Sequence, residues 1–378
     1  MPPIPMTPRR WIAALLATAF VLAMVALRWD SRTGFTSLLS FGGPKWEERL
    51  TVLQALPVAK DAGTGYDGQF GAQLAVSPDP RSPEVQGALD NPPYRSRRIL
   101  LPLTAHLLGH GDAWATLRVF ALQNVVVWLA VAWLTARAIR VASDHRAVAV
   151  WLACVLTLGA LDSVRLSLTD LGAVALLLLA VELQGRGSSW GAAAALALAG
   201  LARETSVLAV TVLWPQARAG VPRAAAQVVL ALLPVALWVG WLYQVLPHAG
   251  ALGNDNFSWP CVSFIRHCVL CARQIAGGNF DSRYTLGLLG ALSLGYQSLS
   301  LLLRPRPASA WWRMGVPFAL LCWVVGDPVW SGYWAASRAL LPMTFAYNLR
   351  LQDEEGFWGK LTLANLPLVA HGVWRMLP

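Results

Sequence analysis

Apolar runs of membrane-spanning length recur along this chain, and that recurrence restricts its fold more than any other feature. A transmembrane helix needs about 20 mainly apolar residues to cross a hydrocarbon core of about 30 Å. Candidate runs occupy 11–27, 113–134, 148–161, 166–183, 221–246, 285–303, 314–325, 332–347 and the less apolar 361–377. A soluble core uses helices with one apolar stripe, whereas these are apolar on all sides. Composition agrees: 56% of the 378 residues are hydrophobic and 13% are charged, against about 25% charged in soluble domains. The expectation is an all-α polytopic integral membrane protein. It is one transmembrane domain over 1–378, a bundle of roughly ten to eleven spans, some short or re-entrant.

The net charge of +10 does not point to a nucleic-acid partner. Nearly all the basic residues are Arg, the lysines being Lys45, Lys60 and Lys360, and they are scattered through short loops. No basic run interleaved with aromatics marks a strand-binding groove. Loop arginines instead follow the positive-inside rule. Arg9 and Arg10 precede the first apolar run, which reads as an uncleaved signal anchor rather than a cleaved signal peptide. That places the N-terminus in the cytoplasm and 28–98 outside it, as a large first extracytoplasmic loop. Short loops with Arg137, Arg140 and Arg146, then Arg186, then Arg218 and Arg223, then Arg304, Arg306 and Arg313 read as cytoplasmic. A second extracytoplasmic loop spans 247–284, with an interfacial helix over 262–275.

Consistent sidedness requires that 190–214 enter and return. Arg203-Glu204 divides it into apolar pieces of about a dozen residues, each reaching only about 18 Å. Two short helices meeting towards the outer side satisfy the pattern. One long tilted helix is the alternative.

Ionisable side chains within membrane segments cost about 2.5–3.5 kcal/mol each on insertion scales and mark functional candidates. Asp170, Arg203, Glu204, Asp327, Arg338 and Arg118 all fall towards the outer face, while Glu182 falls at a cytoplasmic end. Simpler roles exist, an internal Arg203-Glu204 ion pair and Asp170 as an acid at a helix N-terminus. The first loop adds Gly65-Tyr66-Asp67-Gly68-Gln69-Phe70, an acid between glycines and aromatics. It continues with Asp90-Asn91-Pro92-Pro93-Tyr94-Arg95-Ser96-Arg97-Arg98-Ile99-Leu100-Leu101-Pro102, where a basic cluster meets an apolar run. Asp67 as a turn residue and the arginines as headgroup-level side chains are the structural alternatives.

At these residues the sequence resembles the GT-C superfamily of membrane glycosyltransferases, most closely a bacterial branch with a Y-D-G-Q-F/W first loop and a D-N-P-x-Y-R-x-R-R-I-L-x-P block. Gly200-Leu201-Ala202-Arg203-Glu204-Thr205 and Arg338-Ala339-Leu340-Leu341-Pro342 extend the resemblance over most of the chain. It implies a GT-C-like bundle in the bacterial inner (plasma) membrane, with its active site on the extracytoplasmic face. It implies an inverting hexosyl- or pentosyltransferase that takes a sugar from a polyprenyl-phosphate donor. The acceptor would be a cell-surface glycan, glycolipid or protein.

By that resemblance Asp67 is the catalytic acid-base residue, suited to take the acceptor hydroxyl's proton. Arg97, Arg98, Arg203 and Arg338 are donor-phosphate ligands, able to stabilise the charge of the departing lipid phosphate. Tyr66, Gln69, Asp90, Tyr94, Asp170 and Glu204 are supporting or substrate-binding candidates. No cofactor is required. The chain lacks the D-x-D that some superfamily members use to hold a divalent metal, so metal dependence stays open and no metal ligand is assigned.

Cys261, Cys268 and Cys271 gather with His267 in the second loop without a zinc-site spacing. Reduced helical thiols are the reading, ahead of a disulfide. Cys154 and Cys322 read as packing, and His106 and His110 as headgroup-level packing. Two rival functions remain: a lipid or solute transporter or flippase, which also uses broken helices and intramembrane charge, and a non-catalytic assembly factor for surface polysaccharide.

Overall fold

A computed structural model of the chain describes residues 7–215, 220–246, 254–352 and 354–377. Among these every regular element is helical. Thr7 caps α1 (Pro8–Ala26), and Pro8 stands in its first turn, where a missing N–H is no loss. The first loop is an ordered layer of short helices: α2 (Thr51–Gln54), α3 (Asp67–Val76), α4 (Pro83–Ala88), α5 (Pro92–Arg95) and α6 (Leu100–Leu108). The bundle continues with α7 (Ala113–Ala138), α8 (Asp144–Val155), α9 (Leu158–Arg165), α10 (Asp170–Gly185) and α11 (Ser189–Ala202). A 3-10 segment, Glu204–Leu213, leads to α12 (Val221–Val245), α13 (Val262–Ala276), α14 (Ser282–Leu303) and α15 (Ala310–Val324). Short α16 (Asp327–Ser331) and α17 (Tyr333–Ala339) precede α18 (Leu341–Leu351) and α19 (Phe357–Met376).

By length and composition α1, α7, α12 and α14 can each cross a membrane, and α8 with α9, bent by 47°, makes a fifth. Their outer surfaces are apolar: Leu16 is 67% exposed, Val126 68% and Leu237 63%. An apolar belt of this kind is a liability in water and fits a membrane-embedded protein.

Two expected spans are broken in the structure. The run 148–161 splits at Leu156-Thr157 into α8 and α9, and 332–347 splits at Leu340, just before Pro342, into α17 and α18. Backbone groups freed by a break must be paired inside the protein, because lipid offers no partner. Trp128 of α7 supplies one donor, its indole N–H reaching Val155 O at 2.9 Å. The turn between α9 and α10, where Ser167 has φ +50°, is served likewise. Asn124 Nδ2 donates to Leu168 O at 2.8 Å, and Ser167 Oγ donates to Ala121 O at 3.2 Å. From the other side Gly372 of α19 lies against Leu156–Leu158, where a Cβ would come within 2.8 Å of Leu156 O.

The 190–214 segment breaks where the charges sit. Arg203 is extended (φ −153°, ψ 121°), ending α11, and the return half is 3-10 rather than α. Both halves come back to one end of the bundle. Ser189 at the start of α11 accepts from Gln227 Nε2 (2.7 Å) and Arg223 Nη2 (3.0 Å) at the start of α12. At the other foot, Thr211 Oγ1 donates to Arg313 O at 2.6 Å. Cysteines placed at Ser189 and at the exposed Trp214 are therefore expected to react with an impermeant reagent from the same side of a sealed membrane. Labelling from opposite sides would end the re-entrant description.

Most of the arginine-bearing short loops collect at that end. Arg10 pairs with Asp144 at 2.8 Å, Arg140 N donates to Gln352 Oε1 at 2.7 Å, and Arg304 pairs with Glu354 at 3.0 Å. Glu182 is held by Arg186 at 2.7 Å and Arg137 at 3.4 Å. Arg218 and 247–253 lie outside the described residues. The first loop and the described part of the second meet at the far end, where Tyr66, Arg97, Asn256 and Phe257 border one cavity.

Candidate active site

That cavity, of about 470 Å³, is built by four separate stretches of chain. The first loop brings Tyr66, Asp67, Tyr94, Arg95, Arg97 and Arg98, and the apex of the re-entrant pair brings Arg203, Glu204 and Thr205. Arg338 comes from α17. Apolar side chains complete the lining, with Phe257, Leu321, Val325, Val329 and Ala339. All four arginines expected to hold a donor phosphate thus face one space with Asp67.

Asp67 opens α3, after Tyr66 in extended conformation (φ −146°). The chain runs close behind it: a Cβ on Gly68 would lie 2.2 Å from Leu166 O. Gly68→Ala therefore forces backbone movement, and the expected loss is about 1–3 kcal/mol, the usual range for overpacking. Chemical unfolding in detergent measures it, and wild-type stability would show that the contact is relaxed at no cost.

The Asp67 carboxylate is shared. Oδ1 accepts from Arg95 Nη1 at 2.8 Å, and Oδ2 accepts from Arg338 Nη1 at 3.3 Å and Nη2 at 3.4 Å. Burial raises the pKa of such a group, but the charges of Arg95, Arg338 and Arg98 outweigh it and hold the carboxyl well below the ordinary carboxylate range. Its ion pairs therefore contribute stability above the ordinary carboxylate pKa, and that contribution is lost only as pH falls through the depressed value.

A second layer of carboxylates fixes the arginines. Asp90 grips Arg95 with two bonds of 2.8 and 2.7 Å. Glu204 grips Arg98 with bonds of 3.0 and 2.9 Å, and Tyr94 OH accepts from Arg98 Nη2 at 2.7 Å. Asp170, only 2% exposed, pairs with Arg203 and accepts from Arg338 Nη1 at 3.3 Å. Tyr66 OH accepts from Arg338 Nη2 at 2.9 Å. Arg97 makes no hydrogen bond or ion pair among the described residues and lines the cavity as a free cation. Five arginines face two carboxylates in the lining, so the wall is cationic.

The expected residues sort into three groups. Asp67, Tyr66, Tyr94, Arg97, Arg98, Arg203, Glu204 and Arg338 line the cavity. Asp90 and Asp170 stand behind it as anchors. Gln69 faces away: it is buried, and its Oε1 accepts from Gly42 N at 3.2 Å, so its work is to hold the loop. The simpler alternative of an internal Arg203-Glu204 bridge is not what the structure holds: Arg203 pairs with Asp170 and Glu204 with Arg98. Asp327 pairs with Arg266, and Arg118 covers the Trp114 ring, both outside this lining. Arg95 is the residue sequence reasoning missed. Its signal was present, a tyrosine before it and an acid five residues back at Asp90.

Among the described residues no group of three or more His, Cys, Asp and Glu is placed to hold a metal. Asp67 and Asp170 share Arg338 between them, so their oxygens face guanidinium groups and do not form a cation cradle. The second-loop cysteines are free thiols. Burial pushes Cys268 up to about 11, and His267 Nε2 lies 3.7 Å from Cys271 Sγ, a packing contact.

Comparison of the chain with protein-family models, with curated proteins and with solved structures gives no match.

Proposed function

We propose that this chain is a membrane-embedded enzyme acting on a lipid-linked anionic substrate. More particularly, it is a GT-C-type glycosyltransferase that moves a sugar from a polyprenyl-phosphate donor to an extracytoplasmic acceptor. One observation carries the reading: a single cavity is lined both by arginines around a carboxylate and by apolar side chains. A lipid phosphate needs both surfaces, cations for the headgroup and apolar lining for the first isoprene units. The bundle of ten to eleven spans and the extracytoplasmic position of the cavity belong to the same reading.

In this mechanism the donor phosphate takes the free Arg97 and the cavity-facing N–H groups of Arg98, Arg203 and Arg338. Charge on the leaving phosphate grows as the glycosidic bond breaks, so these donors stabilise the transition state more than the ground state. A carboxylate paired with two guanidinium groups is a weak base. As the phosphate competes for Arg338, Asp67 regains basicity while the substrate is present, and takes the acceptor hydroxyl's proton. The acceptor oxygen bonds the anomeric carbon, the bond to phosphate breaks, and the configuration inverts.

The test is direct. Purified protein in nanodiscs is given polyprenyl-phosphate-linked hexoses and pentoses carrying a radiolabelled sugar, together with a membrane extract as acceptor source. Transfer of label that depends on the protein supports the reading. Passage of intact lipid-linked sugar across a sealed vesicle, without transfer, would replace it with the flippase. An Arg97→Gln variant is expected to raise the donor KM about tenfold with kcat less affected, because one half-buried charge-assisted contact is lost. An unchanged KM would remove Arg97 from donor binding.

A further inference from the structure

Positive charge at this end of the bundle extends beyond the Asp67 cavity. A separate pocket of about 160 Å³ lies behind the 66–68 turn, with Arg28, Ser37, Ser40, Lys60, Asp61 and Arg165 among its lining. A thin partition divides the two. Tyr66 N donates to Ser40 O at 3.1 Å, and Gly68 lies against Leu166, which also borders the pocket.

The charges in this pocket are not balanced. Asp61 is its one lining carboxylate, and neutral donors occupy it: Ser40 Oγ on Oδ2 at 2.9 Å and Gly63 N on Oδ1 at 2.6 Å. Lys60 Nζ sits 4.9 Å from the centre of the Trp46 ring and makes no hydrogen bond or ion pair among the described residues. Arg165 Nε is 3.9 Å from Asp162 Oδ1, an oxygen that Arg375 already holds at 3.0 Å. Among the described residues Arg28 donates only to a backbone carbonyl, Leu377 O, at 2.9 Å. Three cationic residues line this polar hollow together with the hydroxyls of Ser37 and Ser40, and their mutual repulsion is relieved by an anion of small volume.

We propose that this pocket is a second anion site, taking a phosphate- or carboxylate-bearing group held by Lys60, Arg165 and Arg28. It is distinct from the cavity that holds Asp67 and does not depend on the sugar-transfer reading. Two sources share this chemistry. Arg28 follows α1, whose apolar face is exposed, so a lipid headgroup phosphate is within reach at the end of that helix. A soluble anionic group can enter from the loop side, where Lys60 is exposed.

Calorimetric titration of inorganic phosphate into the purified full-length protein tests the site without any donor or assay of activity. Wild type is compared with the Lys60→Gln/Arg165→Gln double variant and with Arg97→Gln, which lies in the other cavity. One class of phosphate binding is expected to weaken about tenfold or more in the double variant and to persist in Arg97→Gln. Lys60→Gln alone, at an exposed position, is expected to weaken the same class without a change in thermal melting, which covers any folding defect in the double variant. Wild-type phosphate binding in both Lys60 variants overturns the site. Nanodiscs of phosphatidylglycerol and of phosphatidylcholine separate the sources. Loss of the Lys60-dependent class only in phosphatidylglycerol assigns it to a lipid headgroup, and equal binding in both assigns it to a soluble anion.

Discussion

Asp67→Asn is expected to lower sugar transfer by about two to four orders of magnitude, the scale for removing a general base. The variant should fold normally, because neither arginine is left without a carboxylate. Arg95 keeps both bonds to Asp90, and Arg338 keeps Asp170. Unfolding in detergent and single-turnover rates with a polyprenyl-phosphate sugar separate the two effects. The pH profile adds a check. The depressed pKa in the free protein keeps Asp67 ionised through the physiological range, so kcat/KM should show no acid limb from this group near the ordinary carboxylate value of about 4. Turnover like wild type in Asp67→Asn would leave the carboxylate as an arginine anchor and place the base elsewhere.

Asp170→Ala acts through stability. It removes the ion-pair partner of Arg203 and one of the two carboxylates on Arg338, at a position only 2% exposed. Removing one partner of a buried pair costs about 3–5 kcal/mol, because Arg203 is left without its ion-pair partner while Arg338 keeps only Asp67 as a counter-ion. A loss of that size should appear as a large drop in the unfolding midpoint in detergent. The partly exposed pair Arg10–Asp144, broken by Asp144→Ala, should lose much less. Equal losses at the two sites would show that Asp170 is solvated through the cavity.

Long helices were legible because their signal is local. The expected runs 113–134, 221–246 and 285–303 differ from α7, α12 and α14 by a few residues at one end. The break at Arg203 was legible for another reason: two charges interrupt a run whose flanking loops carry inside-type arginines. The breaks at Leu156 and Leu340 gave no such sign. The first is sealed by Trp128, a residue remote in sequence that reads as one more apolar aromatic until its N–H is seen on Val155 O. Among the described residues four helices are long and apolar enough to cross a membrane, five with the bent pair, and shorter or broken helices fall outside that criterion.

Intramembrane charge and the first-loop motif single out residues that the fold brings to one cavity. The pairing did not follow from adjacency. Arg203 and Glu204 are neighbours in sequence, yet each pairs with a residue from another element, because extended backbone at Arg203 sends successive side chains to opposite sides. Gln69 sits two residues from Asp67, and on α3 that offset turns it away from the cavity.

The sealed breaks carry a consequence for biogenesis. The turn between α9 and α10 is capped by Asn124 and Ser167 against α7, a helix that precedes it in the chain and is available as soon as the turn is made. The break at Leu156 also leans on α19 through Gly372, and α19 follows both α8 and α9 in the chain, about 190 residues separating Arg165 from Phe357. Until α19 is synthesised, one flank of that kink lacks its Gly372 contact. Nascent chains released without α19 should be recognised by membrane quality control at the α8–α9 hinge, although the cavity-lining residues lie earlier in the chain and are already complete.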